Sequence, residues 1–162
     1  MKPLKAPRSS PVAGLCTLLL VASGSAVQAQ TPGRQFINPP GLTKPTGYTH
    51  VVVSADHRAA YIAGQVALDS AGTVVGVGDF KAQAEQVFAN LRTALASVGA
   101  SFGDVVKTTT FITDLKNLPA LRKARARYVD TPHPPANTLV PVSALARPDL
   151  LLEIEAVVDL SR

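Results

Sequence analysis

DFKAQAEQVFANLRTALASVG, residues 79–99, followed by the β-branched run VVKTTTFIT, residues 105–113, decides the fold class. In the first stretch Ala84, Val87, Phe88, Leu91, Ala94, Leu95 and Val98 recur at the i, i+3, i+4, i+7 spacing of one helix face. Asp79 is an N-cap after Gly78, and Gly99 is the glycine that stops the helix. The second stretch has the composition of a buried strand. Working outward, Asn117 caps a second helix over about residues 118–129 with Pro119 in its first turn, and residues 131–135 form a Pro-rich loop. Residues 138–142 and 150–158 read as the last strands. Upstream, residues 51–54 and 59–64 are apolar runs around the polar Ala55-Asp56-His57-Arg58, a hairpin with a four-residue loop. Residues 66–68 can continue the sheet before a turn at 69–72. Residues 33–47 are rich in Pro and Gly, with room for one short strand at 35–37. The order is β-β-α-β-α-β-β, an α+β fold with two helices on one face of a mixed sheet. Two helices cannot cover both faces. Alternation puts Glu153, Glu155 and Val157 on the uncovered face, and a half-apolar face left open points to an oligomer.

The 162 residues are 46% apolar and 17% charged, a globular composition for one domain, with 16 Lys+Arg against 11 Asp+Glu. The excess of positive charge is concentrated at the start. Lys2, Lys5 and Arg8 precede an uncharged apolar run at 12–22 and a small-residue stretch ending in Val27-Gln28-Ala29. This is the pattern of a secretory signal peptide, cut between Ala29 and Gln30, and the apolar run is too short for a membrane span. Residues 1–29 are therefore expected to be a leader and residues 30–162 a single domain, exported to the periplasm or secreted. Removing three basic residues leaves 13 against 11 acids, a net +2, and also removes Cys16 and Met1. A lone cysteine excludes an internal disulfide framework and a Cys-based zinc site.

The densest basic stretch, Arg122-Lys-Ala-Arg-Ala-Arg127, lacks the aromatic platforms of a nucleic-acid groove and reads as a solvated helix face. His50, His57 and His133 have no metal-ligand spacing, so no metal is expected. The glycines of residues 72–78 lead into a helix capped by Asp79, whose charge repels phosphate. Glu153 and Glu155 share a strand face, where they serve either as an acid/base pair or as salt-bridge partners in an oligomer.

The stretches FINPPG (36–41), GYTH (47–50), YIAGQ (61–65), QVFANL (86–91), GAS (99–101), VVKTTTFITD (105–114), PPA (134–136) and EIEA (153–156) occur in this order along residues 35–160. Together they resemble the RidA/YjgF family, the reactive-intermediate deaminases formerly called endoribonuclease L-PSP. The resemblance implies a chorismate-mutase-like fold and a homotrimer with small-molecule clefts between subunits. It implies hydrolysis of enamines and imines, such as 2-aminoacrylate and 2-iminopropionate, to 2-keto acids and ammonia without a cofactor. It assigns Glu153 to orienting water, the Gly64 backbone to holding substrate, and Tyr48 and Phe111 to lining the cleft. In the family pattern an arginine follows Pro-Ala and clamps the substrate carboxylate through a bidentate pair. Here Asn137 stands at that position. Losing such a charged partner costs about 2–5 kcal/mol, roughly 30- to 4000-fold. Nothing in the sequence makes Arg147 a substitute. The expectation is thus a ligand-binding or divergent member with weak or no deaminase activity. The alternatives are an imine/enamine deaminase with another carboxylate anchor and an RNA-directed role, against which the near-neutral charge and export both weigh. Neither nucleic acid nor membrane is expected as a partner of the exported domain.

Overall fold

The computed structural model describes residues 33–130 and 132–161; the expected leader lies outside them. The elements follow as β1 (Gln35–Ile37), β2 (Val51–Val53), β3 (Ala59–Gln65), α1 (Phe80–Ala96), β4 (Val105–Ile112), α2 (Leu118–Arg125), β5 (Ala136–Pro141) and β6 (Leu152–Asp159). This is the expected series, preceded by the short strand for which residues 35–37 leave room. The strands form one mixed sheet in the order β1-β2-β3-β6-β4-β5, parallel only between β4 and β5.

Alternation along β6 separates the two faces. Leu152, Ile154, Ala156 and Val158 are buried, while Glu153, Glu155 and Val157 lie on the other side. The buried face meets α1, whose stripe of Ala84, Val87, Phe88, Leu91, Ala94 and Leu95 is also buried. Each fully buried Leu, Val or Phe side chain contributes about 1.5–3 kcal/mol. The Asp79 carboxylate accepts from the Lys81 and Ala82 amides at the start of α1, and Gly99 adopts φ +69° beyond its end. Gln83, fully buried, donates to Asp149 O at 2.7 Å and accepts from Leu151 N at 2.8 Å, tying the entry of β6 to the first turn of α1.

Several boundaries differ from the sequence reading: β5 starts at Ala136 rather than residue 138, β6 starts at Leu152 rather than residue 150, and three further differences have a visible cause. The α2 helix ends at Arg125 rather than near residue 129, and Tyr128 N and Val129 N close a final turn on Arg125 O. Tyr128 is then free to stack on Phe88, with ring centroids 5.0 Å apart. Asn117 makes no side-chain cap bond, because α2 continues out of a 3-10 turn, Leu115–Asn117, that Asp114 caps instead. Residues 66–68 do not extend β3. The Val66 and Leu68 carbonyls accept from the Asn90 amide at 2.9 and 2.8 Å, leaving only an isolated bridge between Leu68 and Val74.

The face away from the helices carries Tyr61, Lys107, Thr109, Glu155 and Val157, paired in register across β3, β6 and β4. Tyr61 is 54% exposed there, and Phe36 on the edge strand is 66% exposed. An open sheet face of this kind is the surface an oligomer would cover.

Candidate functional site

The site begins with an irregularity in β3. Ile62 pairs with Ala156 and Gln65 with Ile154, so Ala63 and Gly64 together oppose the single residue Glu155. This is a β-bulge, which bends a strand and re-aims the side chains beside it. Glu153, next along β6, lays its carboxylate over Gly64. A Cβ built on Gly64 would fall inside that carboxylate, 2.7 Å from its Cδ. The Glu153 carboxylate can rest there only because Gly64 has no side chain.

The bulge is held from behind by buried polar groups. The Gln65 amide donates to Ala63 O at 2.8 Å, and Ala63 N donates to His50 O at 2.9 Å. His50 is buried, with Nε2 2.8 Å from Thr43 O and Nδ1 3.3 Å from Gln65 Nε2. The proton on Nε2, donated to the carbonyl, and the lone pair on Nδ1 satisfy both contacts. Tyr48 packs edge-on against the His50 ring at 5.1 Å. Burial raises the Glu153 carboxyl above the ordinary carboxylate range, and the neighbouring Glu155 adds to the shift. Burial and the Glu153 charge likewise raise the Tyr48 phenol. Phe111 pairs with Glu153 across β4 and β6 and so shares its face. A carboxyl poised to take a proton, beside a phenol and an open bulge, can bind and orient water or a polar ligand.

Asn137 is elsewhere. It pairs with Thr108 in the β4–β5 ladder, and two residues on Leu139 pairs with Thr110, which faces buried Ile154. Its Nδ2 donates to Thr108 Oγ1 at 2.7 Å and to Thr110 Oγ1 at 3.1 Å. Asn137 thus lies on the helix side of the sheet and Glu153 on the open side. Within one chain Glu153, Gly64, Tyr48 and Phe111 gather, and Asn137 does not join them. On its own side Asn137 lines a cavity of about 300 Å³ between α2 and the β4–β5 edge, and Arg122 and Arg125 line the same cavity. Arg147 is occupied, since its guanidinium holds both Asp149 carboxylate oxygens, at 3.0 and 2.6 Å.

Residues 42–160 match the family model described as Endoribonuclease L-PSP. The chain belongs to the RidA/YjgF family. It is 38% identical over 110 residues to Protein DfrA of Myxococcus xanthus, covering 68% of this chain and 82% of that protein. It is 38% identical over 98 residues to the RutC family protein slr0709 of Synechocystis, covering 60% and 75%. Among solved structures, RidA from an Antarctic Psychrobacter superposes with a TM-score of 0.69 at 30% identity, covering 81% of this chain and 99% of that one. The mixed sheet with two helices is the fold of this family's solved structures.

The roles of several residues in this arrangement could not be read along the sequence. Gln65 and His50 belong to matching stretches, but their roles in holding the bulge emerge only from the hydrogen bonds. Thr108 and Thr110 read as strand formers, and they are the partners of Asn137. Arg122 and Arg125 read as a solvated helix face. Their exposed heads fit that reading, but the cavity beside them does not follow from helix periodicity.

Proposed function

We propose that this RidA-family chain is a small-molecule-binding member, with weak or no hydrolysis of small carboxylate-bearing imines, that works as a homotrimer with its sites between subunits. The observation that carries the reading is Asn137. Its amide is engaged by the Thr108 and Thr110 hydroxyls, so β5 offers a short neutral group where the family pattern has a guanidinium. Placement of Asn137 and Glu153 on opposite faces of one sheet supports an intersubunit site, because the two can share a cleft only across a subunit boundary. The open, partly apolar sheet face supports assembly.

A second reading, imine hydrolysis, is favoured by the raised Glu153 carboxyl above the Gly64 bulge. In that chemistry the Glu153 carboxylate takes a proton from water as the oxygen adds to the C=N carbon and delivers it to the imine nitrogen, giving a carbinolamine. The carbinolamine then collapses to a ketone and ammonia. Ammonia release from freshly generated 2-iminopropionate separates the two. Little turnover is expected from the native protein and a gain from Asn137→Arg. Robust native turnover that Glu153→Gln abolishes would overturn the binding reading. Light scattering should give a trimer, and a monomer would remove the intersubunit cleft. The leader pattern supports export, which requires that the cell-derived protein begin at Gln30 by mass spectrometry.

A further inference from the structure

The cavity between α2 and the β4–β5 edge is built for one kind of ligand. Its walls are mostly apolar, supplied by residues such as Phe88, Leu91, Leu121, Leu139 and Ile154, with Asn137 and its threonine partners on the floor, and its volume of about 300 Å³ is at the small end of ligand pockets. Protein interiors leave few voids larger than a water molecule, so an apolar cleft of this size that reaches the surface calls for an occupant. Arg122 and Arg125 stand at its rim, three residues apart on one side of α2. Arg127 is paired with Glu85, and Arg92 lies 5.9 Å from the centre of the Tyr128 ring. Among the described residues, Arg122 and Arg125 have no ion-pair partner. Asp130 lines an adjoining cleft with Arg122 and Arg125, its carboxylate 3.5 Å from His133 Nδ1.

We infer that this cavity binds an amphiphilic carboxylate, an organic acid whose apolar body fills the space beneath α2 and whose head pairs with Arg122 and Arg125. The inference deepens the ligand-binding reading above and rests on it. It names the ligand class and moves the cation from β5 to α2. A guanidinium on β5 would sit on the cavity floor and favour small acids. Guanidiniums at the rim leave the whole apolar volume to the ligand's tail and select a longer one. The basic last turn of α2 also offsets the helix's own carbonyl end, which would otherwise repel an anion. The pair at the mouth is partly solvated, so the head supplies selectivity and the buried tail supplies most of the affinity.

Calorimetric titration of the purified native protein with acetate, hexanoate and octanoate, and with the matching primary amides, tests this. Octanoate is expected to bind more tightly than hexanoate, acetate not measurably, and each amide about tenfold more weakly than its acid. The double variant Arg122→Gln/Arg125→Gln, which alters only exposed side chains, should bind acid and amide alike. Leu139→Trp should lose both by filling the cavity. Equal binding of acids and amides by the native protein, or an acid preference that survives the double arginine variant, overturns the inference. Octanoate binding that survives Leu139→Trp overturns it as well, by moving the ligand out of this cavity. Absence of binding by every acid and amide also overturns it, and the ligand-binding reading then stands or falls on the imine assay alone.

Discussion

Gly64→Ala isolates the bulge from the stability of the fold. The added methyl would occupy the place of the Glu153 carboxylate, 2.7 Å from Cδ, so the carboxylate must retreat by about 1 Å to restore van der Waals contact. Gly64 is not among the glycines with positive φ, and the atoms in the way are the far end of a flexible side chain. The folded state therefore yields cheaply. The loss of about 0.4–1 kcal/mol of unfolded-chain entropy partly compensates, leaving a net change within about 1 kcal/mol. Gly76→Ala is the matched control. Gly76 has φ +74°, and its added Cβ would lie 2.5 Å from Ala82 Cβ and 3.2 Å from Asp79 O and Gln83 N in the first turn of α1. Left-handed strain of about 1–2 kcal/mol and overpacking of about 1–3 kcal/mol give about 2–5 kcal/mol. That corresponds to a Tm fall on the order of 10 °C. Thermal melts and a carboxyl NMR titration of Glu153 read the two effects separately. Gly64→Ala should keep its Tm but return the Glu153 titration toward the ordinary carboxylate range. Any imine turnover should drop by about 100-fold for a misplacement of this size. A Gly64→Ala protein that melts as early as Gly76→Ala, or that leaves the Glu153 titration unchanged, refutes the argument that the carboxylate rests on the glycine.

Because Glu153 binds its proton more tightly in the folded than in the unfolded chain, stability should fall as pH rises from the ordinary carboxylate value through the raised one, and level off above it. Glu153→Gln should therefore gain stability relative to the native protein near pH 7 and not at about pH 4, as read by denaturant titrations at both. In the same variant the Tyr48 phenol should titrate lower, because one of the two causes that raise it is gone. Gln83→Ala strands Leu151 N and the Asp149 carbonyl in the interior and should cost about 2–4 kcal/mol in chemical denaturation. A cost below about 1 kcal/mol would mean that water reaches both groups.

Much of the fold is written in local pattern. The apolar spacing between Asp79 and Gly99 names the buried face of α1 almost residue for residue, and alternation along β6 separates Leu152, Ile154 and Ala156 from Glu153 and Glu155. Such periodicities depend only on backbone geometry, so they are present in the chain before it folds. The ends of elements were less legible. The fate of residues 66–68 depends on Asn90, more than twenty positions away, taking their carbonyls. The end of α2 leaves Tyr128 stacked on Phe88, some forty residues earlier in the chain.

The site divides in the same way. Motif positions along the chain already name the residue types: Glu153, Gly64, Tyr48 and Phe111, and Asn137 in place of an arginine. Their places in space come from pairing between distant strands. A one-residue bulge in β3 brings the Glu153 carboxylate onto Gly64. The parallel register of β5 against β4 turns Asn137 to the helix side, beside Arg122 and Arg125. Register and bulge arise from pairing between distant strands, and one step of register reverses the face of every side chain. That is why the residue list could be read along the chain, whereas the separation of Asn137 from Glu153 could not.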